Sequence, residues 1–184
     1  MAGQRTRWKW EALAFLWGLA EAGFFFIAAE VPVTLMALRD PARALRMGLL
    51  AALGATIGAA ALYFWGARDA FGSMTLLALL PGLSPDIISA AEEALQRHGL
   101  AAIPAGVLSA TTGKAHAILA HDLGIGFAAF IAVFAAIRLV RMALVGCVAF
   151  CLGALLGNIL SRRALTLLWA LAWAGIYARI FFLH

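Results

Sequence analysis

The stretch GLAAIPAGVLSATTGKAHAILAH, residues 99–121, decides how this chain is read. It is apolar enough to enter a bilayer. It is also interrupted, by Pro104, by Gly106 and by the small polar run Ser109, Thr111, Thr112 and Gly113. Lys114 stands at the end of the interruption. A lysine at membrane depth costs about 2.5–3.5 kcal/mol on the insertion scale, and such charges mark places where something meets them. Irregular backbone survives at that depth only where it is buried in protein or lines a cavity. The stretch therefore reads as a re-entrant segment that presents Lys114 to an anionic group.

Composition agrees. The 184 residues are 65% hydrophobic and 12% charged, with a mean hydropathy of +0.96. A soluble domain needs more polar surface than that. The expectation is one all-α polytopic membrane domain covering residues 1–184, with about four to six membrane segments. The net charge of +5 reads as topology and contact with anionic head groups, so nucleic acid is not an expected partner. Cys147 and Cys151 lie in an apolar run and imply neither a disulfide framework nor a metal site. Arg5, Arg7 and Lys9 precede a long apolar run that contains Glu21 and Glu30 and lacks a small-residue cleavage site. It reads as a retained membrane segment and not as a signal peptide.

Outward from the opening stretch, the first apolar block, residues 11–38, is its counterpart. Its core EAGFFFIAAEVP holds Glu21 and Glu30, nine residues apart and roughly on one face of an unbroken helix. Pro32 predicts a break near residues 30–33. Next, Asp40 as cap and Pro41 as first residue predict a helix to about Gly66, with GATIG (54–58) as a close-packing face and an aromatic belt at 63–65. Residues 69–83 are moderately apolar. SPDIISAAEEALQRHG (84–99) predicts an amphipathic helix on the membrane surface. Its apolar stripe is Ile87, Ile88, Ala91 and Leu95; its polar stripe is Glu92, Glu93, Gln96 and Arg97. A turn at Asp122, Gly124 and Gly126 leads to a long apolar helix, 126–160, containing Arg138 and Arg141. A last span, 164–182, carries Trp169, Trp173, Tyr177 and Arg179.

If both broken segments are hairpins, Arg5, Arg7, Lys9, Arg39, Arg43, Arg46, Arg162 and Arg163 share one side. The positive-inside rule makes that side, and the N-terminus, cytoplasmic. The pattern then repeats in inverted form. Repeat one is about 11–66 and repeat two about 99–160, each a re-entrant hairpin plus a transmembrane helix. The amphipathic linker is about 69–98 and the C-terminal transmembrane helix about 164–182. Inverted repeats whose broken segments meet near the midplane are a transporter architecture.

Five charges sit in apolar surroundings: Glu21, Glu30, Lys114, Arg138 and Arg141. One reading gathers Lys114, Arg138 and Arg141 around a phosphate, with the carboxylates as proton sites. The other pairs the carboxylates with the cations structurally, or lets some snorkel. Five intramembrane charges exceed what packing requires, which favours function for the set. A phosphate-binding loop ending at Lys114 is rejected, since six residues separate Gly106 from Gly113 and Ala115 stands where Ser or Thr is needed. His116, His121 and Asp122 lack metal-ligand spacing. Ser109 has no local base, so no nucleophile is assigned.

Three elements together resemble the DedA/VTT (SNARE-associated Golgi protein) membrane family. They are EAGFFFIAAEVP; the GATIGAAALYFWG helix; and RHGLAAIPAG running into TTGKAHAILAHDLGIGFAAF and AAIRLVR. The resemblance covers about residues 11–157. It implies two opposed re-entrant hairpins and the movement or scrambling of lipids, undecaprenyl phosphate and phospholipids among them, with proton coupling in some bacterial members. It places Glu21 and Glu30 in the family's acidic element and Lys114, Arg138 and Arg141 in its basic one. The chain departs from the family where TTGKAH carries lysine in place of arginine, with no proline after Pro104.

The expectation is a bacterial inner-membrane transporter or flippase for a phosphate-bearing lipid, proton-coupled, and not an enzyme. Lys114, Arg138 and Arg141 bind substrate; Glu21 and Glu30 exchange protons; no cofactor or metal is called for. Partners are the lipid phosphate and membrane lipids, with homo-oligomerisation left open. The alternative is a membrane assembly or scaffold protein whose buried charges are structural.

Overall fold

The structure is a computed structural model that describes residues 2–23, 27–80, 83–108 and 112–182, with side chains described only between residues 8 and 179. All regular elements among them are helical. In chain order they are α1 (Ala2–Gly23), α2 (Glu30–Ala37), α3 (Pro41–Arg68), α4 (Ala70–Ala78) and α5 (Pro85–His98). A 3₁₀ turn (Gly99–Ala102) then leads into α6 (Ile103–Leu108), α7 (Thr112–Leu119), α8 (Phe127–Leu156) and α9 (Arg162–Phe182).

The caps are the ones the residue types demand. Asp40 accepts from Arg43 N–H at 3.0 Å at the start of α3, with Pro41 as its first residue. Ser84 caps α5 on Ile87 N–H, and Gly99 ends it at φ +53°, a left-handed turn that favours glycine. Residues 69–83, expected only as a moderately apolar stretch, contain α4, whose first turn Asp69 caps through Gly72 N–H at 2.8 Å.

The first break differs from expectation. It lies between Gly23 and Glu30, before Pro32 and not at it. Pro32 is the third residue of α2, where a backbone N–H has no partner within the helix, so its absence there costs nothing. Phe24, Phe25 and Phe26 lie outside the described residues. The second proline follows the same logic. Pro104 sits in the first turn of α6, and the helix continues through Gly106 to Leu108. Ser109, Ala110 and Thr111, where the small polar interruption was expected, lie outside the described residues, and α7 begins at Thr112.

α3 is the axis. Its glycines let α1 come to backbone contact: a Cβ at Gly54 would stand 2.1 Å from Phe15 O, and one at Gly58 2.6 Å from the Ala22 Cβ. From α1, a Cβ at Gly18 would stand 2.0 Å from Ala51 O. At the far end of α3, Gly66 gives the same room to Ile118 O of α7. Tyr63 corrects the expected aromatic belt. It is buried, donates to Ile125 O at 2.7 Å and stacks on Phe130. α5 turns Ala91 and Leu95 inward and leaves Glu92, Glu93, Gln96 and Arg97 exposed.

Among the described residues two helices, α3 and α8, are long and apolar enough to cross a membrane. They are treated differently by the fold. Over its most apolar stretch α3 is 56% buried and α8 only 11%. Exposed large apolar side chains run along α8, from Leu139 and Val140 through Leu144 and Val148 to Leu155.

Candidate functional site

The two apolar blocks that hold Glu21, Glu30 and Lys114 deliver these charges to one place. Glu21 is the third residue from the end of α1, and Glu30 is the first of α2, so the two carboxylates flank the first break. Lys114 is the third residue of α7. Arg138 lies on the inward stripe of α8, whose buried members are Phe130, Phe134, Arg138, Met142 and Ala149. A charge on an otherwise apolar buried stripe must find partners inside the protein.

It finds both carboxylates. Arg138 Nη2 donates to Glu21 Oε2, and Arg138 Nη1 lies 3.9 Å from Glu30 Oε1. Glu21 Oε2 also accepts the Ala29 N–H at 3.0 Å, which ties the end of α1 to the start of α2. Arg141 Nε lies 2.7 Å from Glu30 Oε1. Arg141 Nη1 donates to the carbonyls of Val107 and Leu108, at 2.9 and 2.6 Å. Those are carbonyls of the last turn of α6, which lack partners within the helix. A cation at a helix C-terminus also meets the negative end of the dipole. Arg141 thus joins the start of α2 to the end of α6.

Glu21, Glu30, Lys114 and Arg138 are all buried; Glu30 is 1% exposed. Glu30 Oε2 accepts no hydrogen bond among the described residues. Lys114 stands in the field of Glu21 and Arg138 and shares with them a cavity of about 30 Å³. That volume holds a water molecule. In ordinary charge states the cluster of three cations and two carboxylates carries one net positive charge.

All five residues singled out from the sequence therefore meet. They meet in a different grouping, however. Arg138 and Arg141 are not a bare cationic pair beside Lys114; each is engaged by a carboxylate. The metal reading of His116, His121 and Asp122 does not assemble. His116 is buried beneath Gly106, where a Cβ would stand 1.7 Å from its Nδ1, while His121 and Asp122 pair with each other on an exposed turn. No three His, Cys, Asp or Glu side chains gather to hold a metal ion among the described residues. Cys147 and Cys151 are exposed on α8, outside the cluster.

Sequence reasoning missed the shell behind Glu30. Thr34 Oγ1 donates to Glu30 O at 2.7 Å and accepts from the indole N–H groups of Trp169 and Trp173. The Tyr177 hydroxyl accepts the Ala28 N–H at 2.7 Å. The available signal was the four-residue spacing of Trp169, Trp173 and Tyr177, which puts three polar-tipped aromatics on one helix face.

No family model, curated protein or solved structure matches the chain, so the DedA/VTT resemblance rests on the residues that carry it.

Proposed function

We propose that this chain is a polytopic membrane protein of DedA/VTT type that moves a phosphate-bearing lipid across the bilayer, with the movement coupled to protons. The observation that carries the reading is the convergence of Glu21 and Glu30 from the first apolar block, Lys114 from α7 and Arg138 and Arg141 from α8 into one cluster. The exposed aliphatic length of α8 supports a hydrocarbon surrounding. The inverted repeat and a cytoplasmic N-terminus in a bacterial inner membrane belong to the same proposal.

The charge balance suggests the cycle. At rest the carboxylates hold Arg138 and Arg141. A lipid phosphate competes for the same guanidinium forks, for which its geometry suits it, and Lys114 adds a point charge. Protonation neutralises the carboxylate that the phosphate displaces, so the buried charge changes little. Return of the proton to the other side restores the Glu–Arg contact and expels the lipid.

The test is lipid transport in proteoliposomes. Lys114→Ala and Arg138→Lys are expected to abolish it while the protein stays folded in detergent. Wild-type rates in both variants would overturn the reading. The direct Glu–Arg contacts also favour a second reading, a scaffold held together by buried ion pairs. In that case the variants lower the melting temperature and show no transport defect beyond it.

A further inference from the structure

We infer that α9 is the positioning element of the charge cluster: Trp169, Trp173 and Tyr177 hold α2, and with it Glu30, in register with Arg141. The inference deepens the lipid-transport reading and rests on it for its transport arm alone.

α9 contributes nothing to the apolar core; none of its described side chains is buried. Between residues 167 and 179 only Trp169, Trp173 and Tyr177 are even half-buried. They form one stripe, and each reaches α2 or the residues leading into it through a polar tip. Trp169 Nε1 and Trp173 Nε1 donate to Thr34 Oγ1 at 2.9 and 3.2 Å. Tyr177 accepts from Ala28 N–H at 2.7 Å, and Thr166 accepts from Arg39 Nη2 at 3.3 Å. α9 therefore runs antiparallel to α2 along its whole length.

The contacts end at the cluster. Thr34 Oγ1 donates to the Glu30 carbonyl, so its one donor and two acceptor sites are all engaged. The two N–H groups before α2 are divided, Ala28 to Tyr177 and Ala29 to Glu21. The Tyr177 hydroxyl lies in the field of Glu21, Glu30 and Arg141. Apolar packing lets a helix slide or turn; directional hydrogen bonds at both ends do not. α2 has eight residues, too few to hold its own geometry. A small turn of α2 would swing Glu30, its first residue, away from Arg141 Nε at 2.7 Å. Trp169, Trp173 and Tyr177 are thus positioning residues that act through Glu30 and touch no substrate.

The experiment uses the full chain in nanodiscs and reads the infrared carboxylate band of Glu30, assigned by difference from Glu30→Gln. Tyr177→Phe and Thr34→Val keep volume and remove the polar tips; Thr34→Ser keeps the hydroxyl. Tyr177→Phe and Thr34→Val are expected to move the band toward its position in Arg141→Gln, and Thr34→Ser to leave it near wild type. In proteoliposomes the same two variants are expected to lower turnover about tenfold at unchanged half-saturation, the mark of a group that does not bind substrate. An unmoved band in the variants that fold overturns the inference whatever transport does. A moved band with wild-type turnover also overturns it. A moved band in a protein that transports no lipid upholds the positioning role and removes the transport reading instead. Should Tyr177→Phe and Thr34→Val both fail to fold, Trp173→Phe decides by the same band.

Discussion

α3 and α8 are both apolar and both long enough to cross a bilayer, yet the fold uses them in opposite ways. α3 is built of glycine and alanine on its inner face and meets α1 backbone to backbone. α8 keeps large aliphatics on most of its circumference and leaves them outside. In water both would seek burial. In hydrocarbon a leucine gains nothing by leaving lipid for protein, so close packing falls to small residues. The difference between these two helices is what the proposed lipid surroundings would impose. It also isolates the exception: the buried stripe of α8 carries a charge, Arg138, where α3 carries none.

That exception gives the largest expected effect. Arg138→Ala leaves Glu21 buried without its guanidinium partner. Breaking a buried pair in this way costs about 3–5 kcal/mol, mostly the cost of the stranded charge. The double variant Glu21→Gln/Arg138→Gln should recover much of the loss. Thermal unfolding in detergent checks both, and a double variant no more stable than Arg138→Ala would show that Arg138 matters for something other than Glu21.

The α3 side of the comparison is tested by Gly54→Ala. Its added Cβ would meet Phe15 O at 2.1 Å and Leu19 N at 2.9 Å, both backbone atoms that no rotamer change can move. Overpacking a core costs about 1–3 kcal/mol when side chains can give way. Here α1 must shift as a body, so the expected loss is about 3 kcal/mol. Gly48→Ala is the control, because its Cβ would meet only Met142 and Val33 side chains at ordinary contact. Equal melting temperatures for the two variants would remove the claim that α1 and α3 touch through backbone.

What was legible in the sequence follows the same division. The GATIG face was legible because small residues at a spacing of four have one use between apolar helices. The ends of α3 and α5 were legible because Asp40–Pro41, Ser84–Pro85 and Gly99 act locally. The first break was displaced for an equally local reason: Pro32 was taken as the interruption, but a proline in a first turn begins a helix as readily as it ends one. The five members of the site were legible because a charge in an apolar run stands out. Their partners were not. Whether Arg138 meets Glu21, 117 residues away, is decided by how α1 and α8 lie against α3, which no local pattern encodes. Tyr177 and Trp173 were hidden for a further reason. Near the end of a span, aromatics with polar tips suit the membrane interface, and that reading accounts for them without a partner.

The smallest expected effect belongs to the outer face of α8. Leu144 is 58% exposed, and so is Val148 one turn on. On the proposed membrane reading, Leu144→Ala removes methyl groups that contact detergent or lipid chains, so no transfer term from water and no cavity arise. The expected change is within about 0.5 kcal/mol, as for surface positions generally, against 2–5 kcal/mol for a buried leucine in a water-soluble core. A loss of about 2 kcal/mol or more in detergent would mean that this face is covered after all. A second copy of the chain is the natural cover, since α8 offers the same stripe on each, and the loss would then depend on protein concentration. Concentration-independent neutrality at Leu144, together with a large loss at Gly54, is the outcome that separates a lipid-facing helix from a core helix of the same apolar composition.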